Sequence, residues 1–307
     1  MAELLVIGSV ALDSVETPFG SVEDALGGSA TYFSAAASLL TEVRVVAVVG
    51  EDFPEDHLDT LRGRGIDLKG LRREPGRTFR WSGRYVDDLN QAVTLDTQLN
   101  VFETFDPELP DSYKDSPYVF LANLHPALQL KVLEQTSADA FTGADTMNYW
   151  IDGERKLLEE VFRRVDCVTI NEAEALEFSG ESNIFRAVRT IGELGPEFIV
   201  VKRGAYGAVL CHQEEIFFIP AFPLEEVIDP TGAGDTFAGG LFGYLAAHDR
   251  HQTDDLRRGL MVGSVLASYN VEAFSLGRLL AISREDILNR AGQFERMIHI
   301  GDEGLVL

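Results

Sequence analysis

One short segment gathers the residue types that could do chemistry: Ile228-Asp229-Pro230-Thr231-Gly232-Ala233-Gly234-Asp235-Thr236-Phe237-Ala238-Gly239-Gly240. Gly232, Ala233 and Gly234 form a turn of small residues that leads into a helix pattern, on which Phe237, Leu241 and Leu245 recur every fourth residue. The first N–H groups of a helix lack partners within it and carry about half a positive charge. Glycines ahead of them let an anion approach closely, so this turn suits a phosphate group. Gly239, Gly240 and Gly243 would let the helix pack tightly on a neighbour. Asp235 has two readings. It caps the helix, as aspartate does well, or it takes the proton from a hydroxyl that attacks phosphorus. Without such a task, a carboxylate there would only repel the anion.

Other nucleotide and metal motifs do not fit. A Walker A loop needs Gly-Lys-Ser/Thr, and no lysine in this chain follows a glycine. The GxGxxG fingerprint is missing after the first strand pattern, and at residues 232–237 the sixth position is Phe237. Protein-kinase HRD and DFG elements are absent, as are HExxH and paired CxxC zinc motifs.

Composition narrows the class further. The chain has 307 residues and a net charge of −24, which disfavours phosphate backbones and argues against nucleic acid as a partner. Cys167 and Cys211 cannot make a disulfide framework, so a reducing cytoplasm is expected. No apolar run approaches the roughly 18 residues of a membrane span, and the first residues lack a basic leader region, so no membrane partner is expected. Lysine is scarce (Lys69, Lys114, Lys131, Lys156 and Lys202), and the other basic residues are arginines. A salt-rich cytoplasm and an arginine-rich genome both account for that.

Positioning such a segment takes a frame, and the sequence patterns supply one. Strand patterns at Leu4–Gly8, Val43–Gly50, Tyr118–Ala122, Ala138–Thr142, Asp166–Ile170 and Phe198–Val201 alternate with helix patterns. The helices are expected at Ser29–Leu40, Pro54–Gly63, Pro126–Gln135, Gly153–Arg164, Ile184–Leu194, Thr236–His248 and Leu256–Tyr269. This alternation predicts an α/β fold with a parallel sheet covered on both faces. Two stretches differ. Ser14–Leu26, turning at Thr17-Pro18-Phe19-Gly20, and Arg77–Phe105, turning at Asp87-Asp88-Leu89-Asn90, read as antiparallel strands of a small projecting sheet. That sheet serves either as a lid or as plain surface hairpins.

Asp229 to Gly240 resembles the C-terminal signature of the ribokinase (PfkB) family of carbohydrate and nucleoside kinases. Further matches follow in order: Gly8-Ser9 with Asp13, Gly27-Gly28, Gly50-Glu51-Asp52, Gly65-Ile66-Asp67, Asn171-Glu172-Ala173-Glu174, and Lys202-Arg203-Gly204 with Gly207. The resemblance spans nearly the whole chain. It implies a three-layer α/β/α ribokinase-like fold over residues 1–307, with a mainly parallel central sheet and a β lid from about residues 14–26 and 77–105.

The resemblance also implies a magnesium-ATP-dependent kinase that phosphorylates a hydroxymethyl-type alcohol. Asp235 is then the base, and the backbone N–H groups of Gly232, Ala233 and Gly234 form the anion hole. Asp13, Gly27, Gly28 and Tyr32 fall at the acceptor site; Lys202, Gly204, Gly207 and Thr231 fall at the nucleotide site. Asn171 and Glu174 organise Mg²⁺ and its waters, the other reading being a cap pair at a helix start. Asp229 and Thr231, with residues 270–277, resemble a loop for a monovalent cation such as K⁺. The signature often has Asn where this chain has Tyr32, so the acceptor is not an ordinary hexose or ribose by default. Phe79, Trp81 and Tyr85 either close over a base or pack a homodimer through the lid sheet. The leading expectation is a sugar kinase. A nucleoside (purine) kinase is the alternative, and an inactive nucleotide- or metabolite-binding regulator a third, against which the intact Gly-Ala-Gly-Asp run weighs.

Overall fold

In the computed structural model, residues 2–86, 89, 90 and 92–299 are described. Asp87 and Asp88 of the expected turn lie outside them. The chain starts with β1 (Leu4–Ile7), β2 (Ala11–Thr17), β3 (Gly20–Gly27), α1 (Ser29–Ala37), β4 (Val43–Gly50), α2 (Glu55–Gly63) and β5 (Asp67–Glu74). Next come β6 (Arg80–Arg84), β7 (Val93–Gln98), β8 (Tyr118–Leu121), α3 (Pro126–Leu133), β9 (Phe141–Ala144), α4 (Asn148–Gly153) and α5 (Arg155–Phe162). Then follow β10 (Cys167–Asn171), α6 (Glu172–Ser179), α7 (Ile184–Gly192), β11 (Phe198–Lys202), β12 (Ala208–His212) and β13 (Glu215–Ile219). Four helices close it: α8 (Ala233–His248), α9 (Thr253–Asn270), α10 (Gly277–Ala281) and α11 (Arg284–Ile298).

Among the described residues, nine strands form one sheet in the order β13-β12-β11-β10-β9-β8-β1-β4-β5. It is parallel from β5 to β11; β12 and β13 add antiparallel pairs at one edge. Both faces are covered over the inner strands, which is why those strands read as almost unbroken apolar runs. In β1, Leu4 and Val6 enter one core cluster while Leu5 and Ile7 enter the other. Phe33 of α1, Leu58 of α2, Leu241 of α8, Leu260 of α9 and Phe294 of α11 complete the first cluster. Val132 of α3, Leu158 of α5, Phe178 of α6 and Ile191 of α7 complete the second.

Several boundaries differ from expectation. The strand placed at Ala138–Thr142 is β9, shifted toward the C-terminus, because Ser137–Ala140 closes a turn (Ala140 N–H to the Ser137 carbonyl, 3.2 Å). The helix placed at Gly153–Arg164 is α5, which starts two residues later, after a break at Glu154 (φ −131°) that separates it from the additional short helix α4. α8 begins three residues before Thr236, which puts Asp235 inside the first turn.

The small sheet runs β3-β2-β6-β7. It is not wholly antiparallel: β2 and β6 lie parallel, Asp13 opposite Trp81, because each leaves the large sheet from the same side. It also starts earlier, at Ala11, and residues 100–105 turn back to the large body, where Val101 and Phe105 enter its core. The Pro18–Phe19 turn joins β2 to β3 as expected.

Candidate active site

The expected site residues sit where α/β sheets bind ligands, beyond the C-terminal ends of the strands and around the point where strand order reverses. That reversal lies at β1, flanked by β4 and β8. Gly8 and Ser9 follow β1, Asp145 follows β9, Asn171 ends β10 and Lys202 ends β11.

The turn before α8 is shaped for an anion. Gly232 is its N-cap at φ 73°, a left-handed conformation that disfavours a side chain. Space forbids one too: a Cβ on Gly232 would stand 2.2 Å from the ring of the buried Tyr32. The Ala233 N–H is already bonded to the Pro230 carbonyl at 3.1 Å. The N–H groups of Gly232, Gly234 and Asp235 have no acceptor among the described residues. Asp235 is therefore not the cap. It is half-buried in the first turn, and its side chain makes no hydrogen bond or ion pair among the described residues. Burial, then the charge of Asp145, pushes its carboxyl up to about 8; Lys202 pulls the other way, and Asp13 and Glu174 add to the rise.

On the acceptor side, Gly8-Ser9 is laced to the start of α1. Ser29 N–H donates to Ser9 Oγ (2.9 Å), Ser9 N–H to Ser29 Oγ (3.2 Å), and Ala30 N–H to the Ser9 carbonyl (3.0 Å). Gly28, at φ 97°, makes that corner and donates its N–H to Asp13 Oδ2 at 3.2 Å. A Cβ on Gly27 would meet the same oxygen at 2.0 Å, so Gly27 makes room for the carboxylate. The other Asp13 oxygen has no hydrogen-bond partner among the described residues. Burial pushes its carboxyl up to about 7, against the Gly28 N–H. Tyr32 does not stand open as a stacking surface. It is 2% exposed and lies under the anion turn.

The small sheet lays a roof beside Asp13. Tyr85, 9% exposed, reaches back to the turn and accepts a hydrogen bond from Thr231 Oγ1 at 3.4 Å. Trp81 folds over Gly83 and donates its Nε1–H to Thr94 at 3.3 Å, while Phe79 stacks on Phe102. Of these three, Tyr85 is the one with a hydrogen bond to the turn among the described residues. The root of the sheet is polar. Asp52 accepts from Thr78 N–H and Oγ1 (both 2.7 Å) and from Arg80 (2.8 Å). Burial works against the Asp52 charge, yet Arg80 and Thr78 hold its carboxyl below the usual range.

On the donor side, Asn171 and Glu174 form a reciprocal cap: Glu174 N–H to Asn171 Oδ1 at 2.8 Å, Asn171 N–H to Glu174 Oε2 at 3.0 Å. The cap leaves Glu174 Oε1 and the Asn171 amide nitrogen for other partners. Burial pushes Glu174 up to about 7, with Lys202 opposing. The Lys202 ammonium lies 2.5 Å from Asp145 Oδ2 and faces the anion turn, 3.4 Å from where a Cβ on Gly234 would be. Asp145 was not among the expected site residues. A carboxylate directly after a buried strand was the signal, hidden by the misplacement of β9. Gly204 (φ 54°) and Gly207 (φ 90°) shape the turn after β11, and Ala205 N–H donates to Asn90 of the small sheet's far loop at 3.1 Å.

Asp229 and Thr231 do meet residues 270–277. Asp229 accepts from the N–H groups of Thr231 (2.9 Å) and Ser275 (3.2 Å), and the Asn270 amide donates to the Thr231 carbonyl (2.8 Å). Burial raises the Asp229 carboxyl above its ordinary value.

Asp13, Asp145, Glu174, Asp229 and Asp235 thus line one cleft with Lys202 among them. No cluster of three His, Cys, Asp or Glu side chains suited to a metal exists among the described residues. The cleft does suit Mg²⁺ arriving on a polyphosphate, since that ion keeps most of its waters and needs one or two carboxylates. Glu174 Oε1, left over by the cap, is an oxygen of that kind.

Residues 1–280 match the pfkB family carbohydrate kinase pattern. The cytidine kinase of Thermococcus kodakarensis is 32% identical over 256 residues, covering 81% of this chain and 90% of its own. The nucleoside kinase of Burkholderia thailandensis, solved with inosine, superposes with a TM-score of 0.79 at 19% identity over 95% of this chain and 98% of its own. The fructokinase of Vibrio cholerae, solved with fructose, ADP and calcium, gives 0.78 at 18% identity over 95% and 99%. Its fold, its sequence over most of its length and its Gly-Ala-Gly-Asp turn agree: the chain belongs to the pfkB family of carbohydrate kinases.

Proposed function

We propose that this chain transfers the γ-phosphoryl group of Mg-ATP to a hydroxymethyl group on a nucleoside, in the cytoplasm, with Asp235 as the general base. The observation that carries this reading is the pairing at the start of α8 of unpartnered Gly232, Gly234 and Asp235 N–H groups with a carboxylate that neither caps nor pairs. A capping or ion-paired aspartate would be unavailable to a hydroxyl. An aspartate raised toward 8 has proton affinity matched to its task near neutral pH. The N–H groups face the site of charge development, where one such donor is worth about 2.7–4 kcal/mol.

The remaining residues divide the labour. Asp13, fixed by Gly27 and Gly28, accepts hydrogen bonds from the acceptor's vicinal hydroxyls, and Tyr32 floors the pocket. Lys202, Gly204, Gly207 and Thr231 border the polyphosphate. Asn171 and Glu174 would hold Mg²⁺ through waters, and the ion supplies charge neutralisation between the phosphates. The loop from Asp229 and Thr231 to Ser275 would hold K⁺ through its carbonyls. The small sheet acts as a lid that keeps water from the phosphoryl group. Val93 and Leu95, both exposed on its edge strand β7, are where two chains would pair as a homodimer.

A nucleoside acceptor is favoured by the relative named for cytidine, which matches over 90% of its own length. The second reading, a sugar acceptor, is favoured by the family pattern itself. A screen for ADP release over nucleosides and sugars separates them. Asp235→Asn should fold, bind ATP normally and lose about 10²–10⁴-fold in kcat. Turnover close to wild type would remove Asp235 from the reaction.

A further inference from the structure

The donor side holds a buried ion pair of which one member, Asp145, has no part in the reaction scheme proposed for the other residues. Asp145 and Lys202 side chains are 4% and 16% exposed, with Oδ2 and Nζ 2.5 Å apart. Every polar group of Asp145 is committed. Its N–H donates to the Leu121 carbonyl (2.9 Å), its carbonyl accepts from Gln129 (3.0 Å), and its Oδ1 accepts from Thr146 N–H (2.9 Å). Gln129 is 1% exposed and ties the same amide to the Leu121 and Ala122 carbonyls. Asp145 cannot shift without unmaking this set. Stability is a weak reason to keep such a pair, because taking two charges out of water costs about as much as their attraction returns.

The neighbours give a better reason. Lys202 Nζ sits against Gly234, and the carboxylates of Glu174 and Asp235 act on it alongside Asp145. A lysine free to choose would turn to Asp235 and neutralise the base. We propose that Asp145 is a positioning residue for phosphoryl transfer, holding the Lys202 ammonium against Gly234 and away from Asp235, so that the turn presents a fixed positive charge to the terminal phosphoryl group. This rests on the phosphotransferase reading above.

Asp145→Asn tests it, with Asp145→Glu as the rescue and Asp235→Asn as the control. The expected result is a kcat lower by about a hundredfold, with the acceptor's KM changed less than about twofold. By calorimetry with Mg²⁺, a non-hydrolysable ATP analogue should bind about tenfold more weakly while ADP changes less than about twofold. The acid limb of the kcat profile should move to lower pH. Asp145, Asp13 and Glu174 raise Asp235 while Lys202 lowers it, so deleting the Asp145 charge and freeing Lys202 both act downward. Asp145→Glu should recover most of the rate. Unchanged kcat, or equal weakening of ADP and the analogue together with a lower Tm, would overturn the proposal and leave a structural ion pair. If Asp145→Asn does not fold, Asp145→Asn/Lys202→Met removes both members of the pair and should show the same analogue-selective loss; normal kcat there overturns the proposal. Turnover surviving in Asp235→Asn strikes instead at Asp235 as the base, and wild-type protein that releases no ADP with any nucleoside or sugar strikes at the phosphotransferase reading.

Discussion

The large and small sheets meet at the cleft but are built on opposite terms. β1 and β4 bury both faces, and beyond the ends of β9, β10 and β11 the carboxylates of Asp145 and Glu174 accept from backbone N–H groups while Asp145 holds the Lys202 ammonium. In the small sheet both faces are covered only at the root of β2, where Leu12 and Asp13 are both buried, and further out one face opens. Asp13, Val15 and Thr17 of β2 are buried, Glu16 is exposed, and Val93 and Leu95 of β7 are 54% and 50% exposed. Its root is held by Asp52, Thr78 and Arg80, a polar joint rather than a core. The difference teaches how the work would be split under the proposed function: groups that meet phosphorus stand on the two-sided frame, and groups that recognise the acceptor stand partly on the thinly covered sheet.

Breaking the frame should hurt most. Gly232→Ala forces a Cβ into the Tyr32 ring at an unfavourable φ, displacing the free N–H groups. Its expected cost is about 10³-fold in kcat with a lower Tm; an active, stable Gly232→Ala would show that the turn is not the cradle. Asp13→Ala comes next, with about 10–100-fold lost in kcat/KM for the acceptor and an unchanged KM for ATP. Equal losses for both substrates would erase the division between the two sides.

Asp52→Ala frees Arg80 and Thr78 at the joint. It should raise the acceptor's KM several-fold and increase ATP hydrolysis without acceptor, measured as ADP release. A variant that lowers Tm and leaves both numbers alone would make the joint structural only. The smallest effect concerns stability of the ligand-free protein. The folded-state carboxyls of Asp13, Glu174 and Asp235 sit near 7, 7 and 8, raised from 3.8, 4.5 and 3.8. Raised carboxyls favour the folded state fully below their unfolded values, and that contribution is lost as pH rises through the folded ones. Asp235→Asn should therefore match wild type in Tm near pH 4 and exceed it by about 2–4 °C at pH 9. A variant less stable than wild type at pH 9 would contradict the burial cost assigned to Asp235.

How much of this was legible beforehand varied with the physics of each region. Strands buried on both faces, such as Val43–Gly50, announce themselves by continuous Val and Ile. β5 did not, because this edge strand is largely polar. The β12–β13 hairpin turns at Gln213 with φ 54°, a residue type that gives no turn signal. β9 was misplaced because Gly143, a poor strand former, leaves space for the Phe242 ring 2.1 Å from where its Cβ would be. That slip hid Asp145. The α8 turn was readable because its glycines and aspartate are contiguous. The reach of Tyr85 to Thr231, 146 residues apart, is a tertiary fact with no local trace.

Helix α8 itself constrains the future of this scaffold. Cβ atoms on Gly239, Gly240 and Gly243 would fall 2.3 Å from the Phe33 carbonyl, 2.8 Å from Gly263 and 3.0 Å from Ala37, so backbones of α1 and α9 grip it on two sides. A helix keyed in that way can neither roll nor slide to suit a bulkier guest. Evolutionary change of acceptor is thereby channelled into the loosely supported strands opposite, and directed-evolution libraries will find their gains at positions such as 13–17 and 79–85.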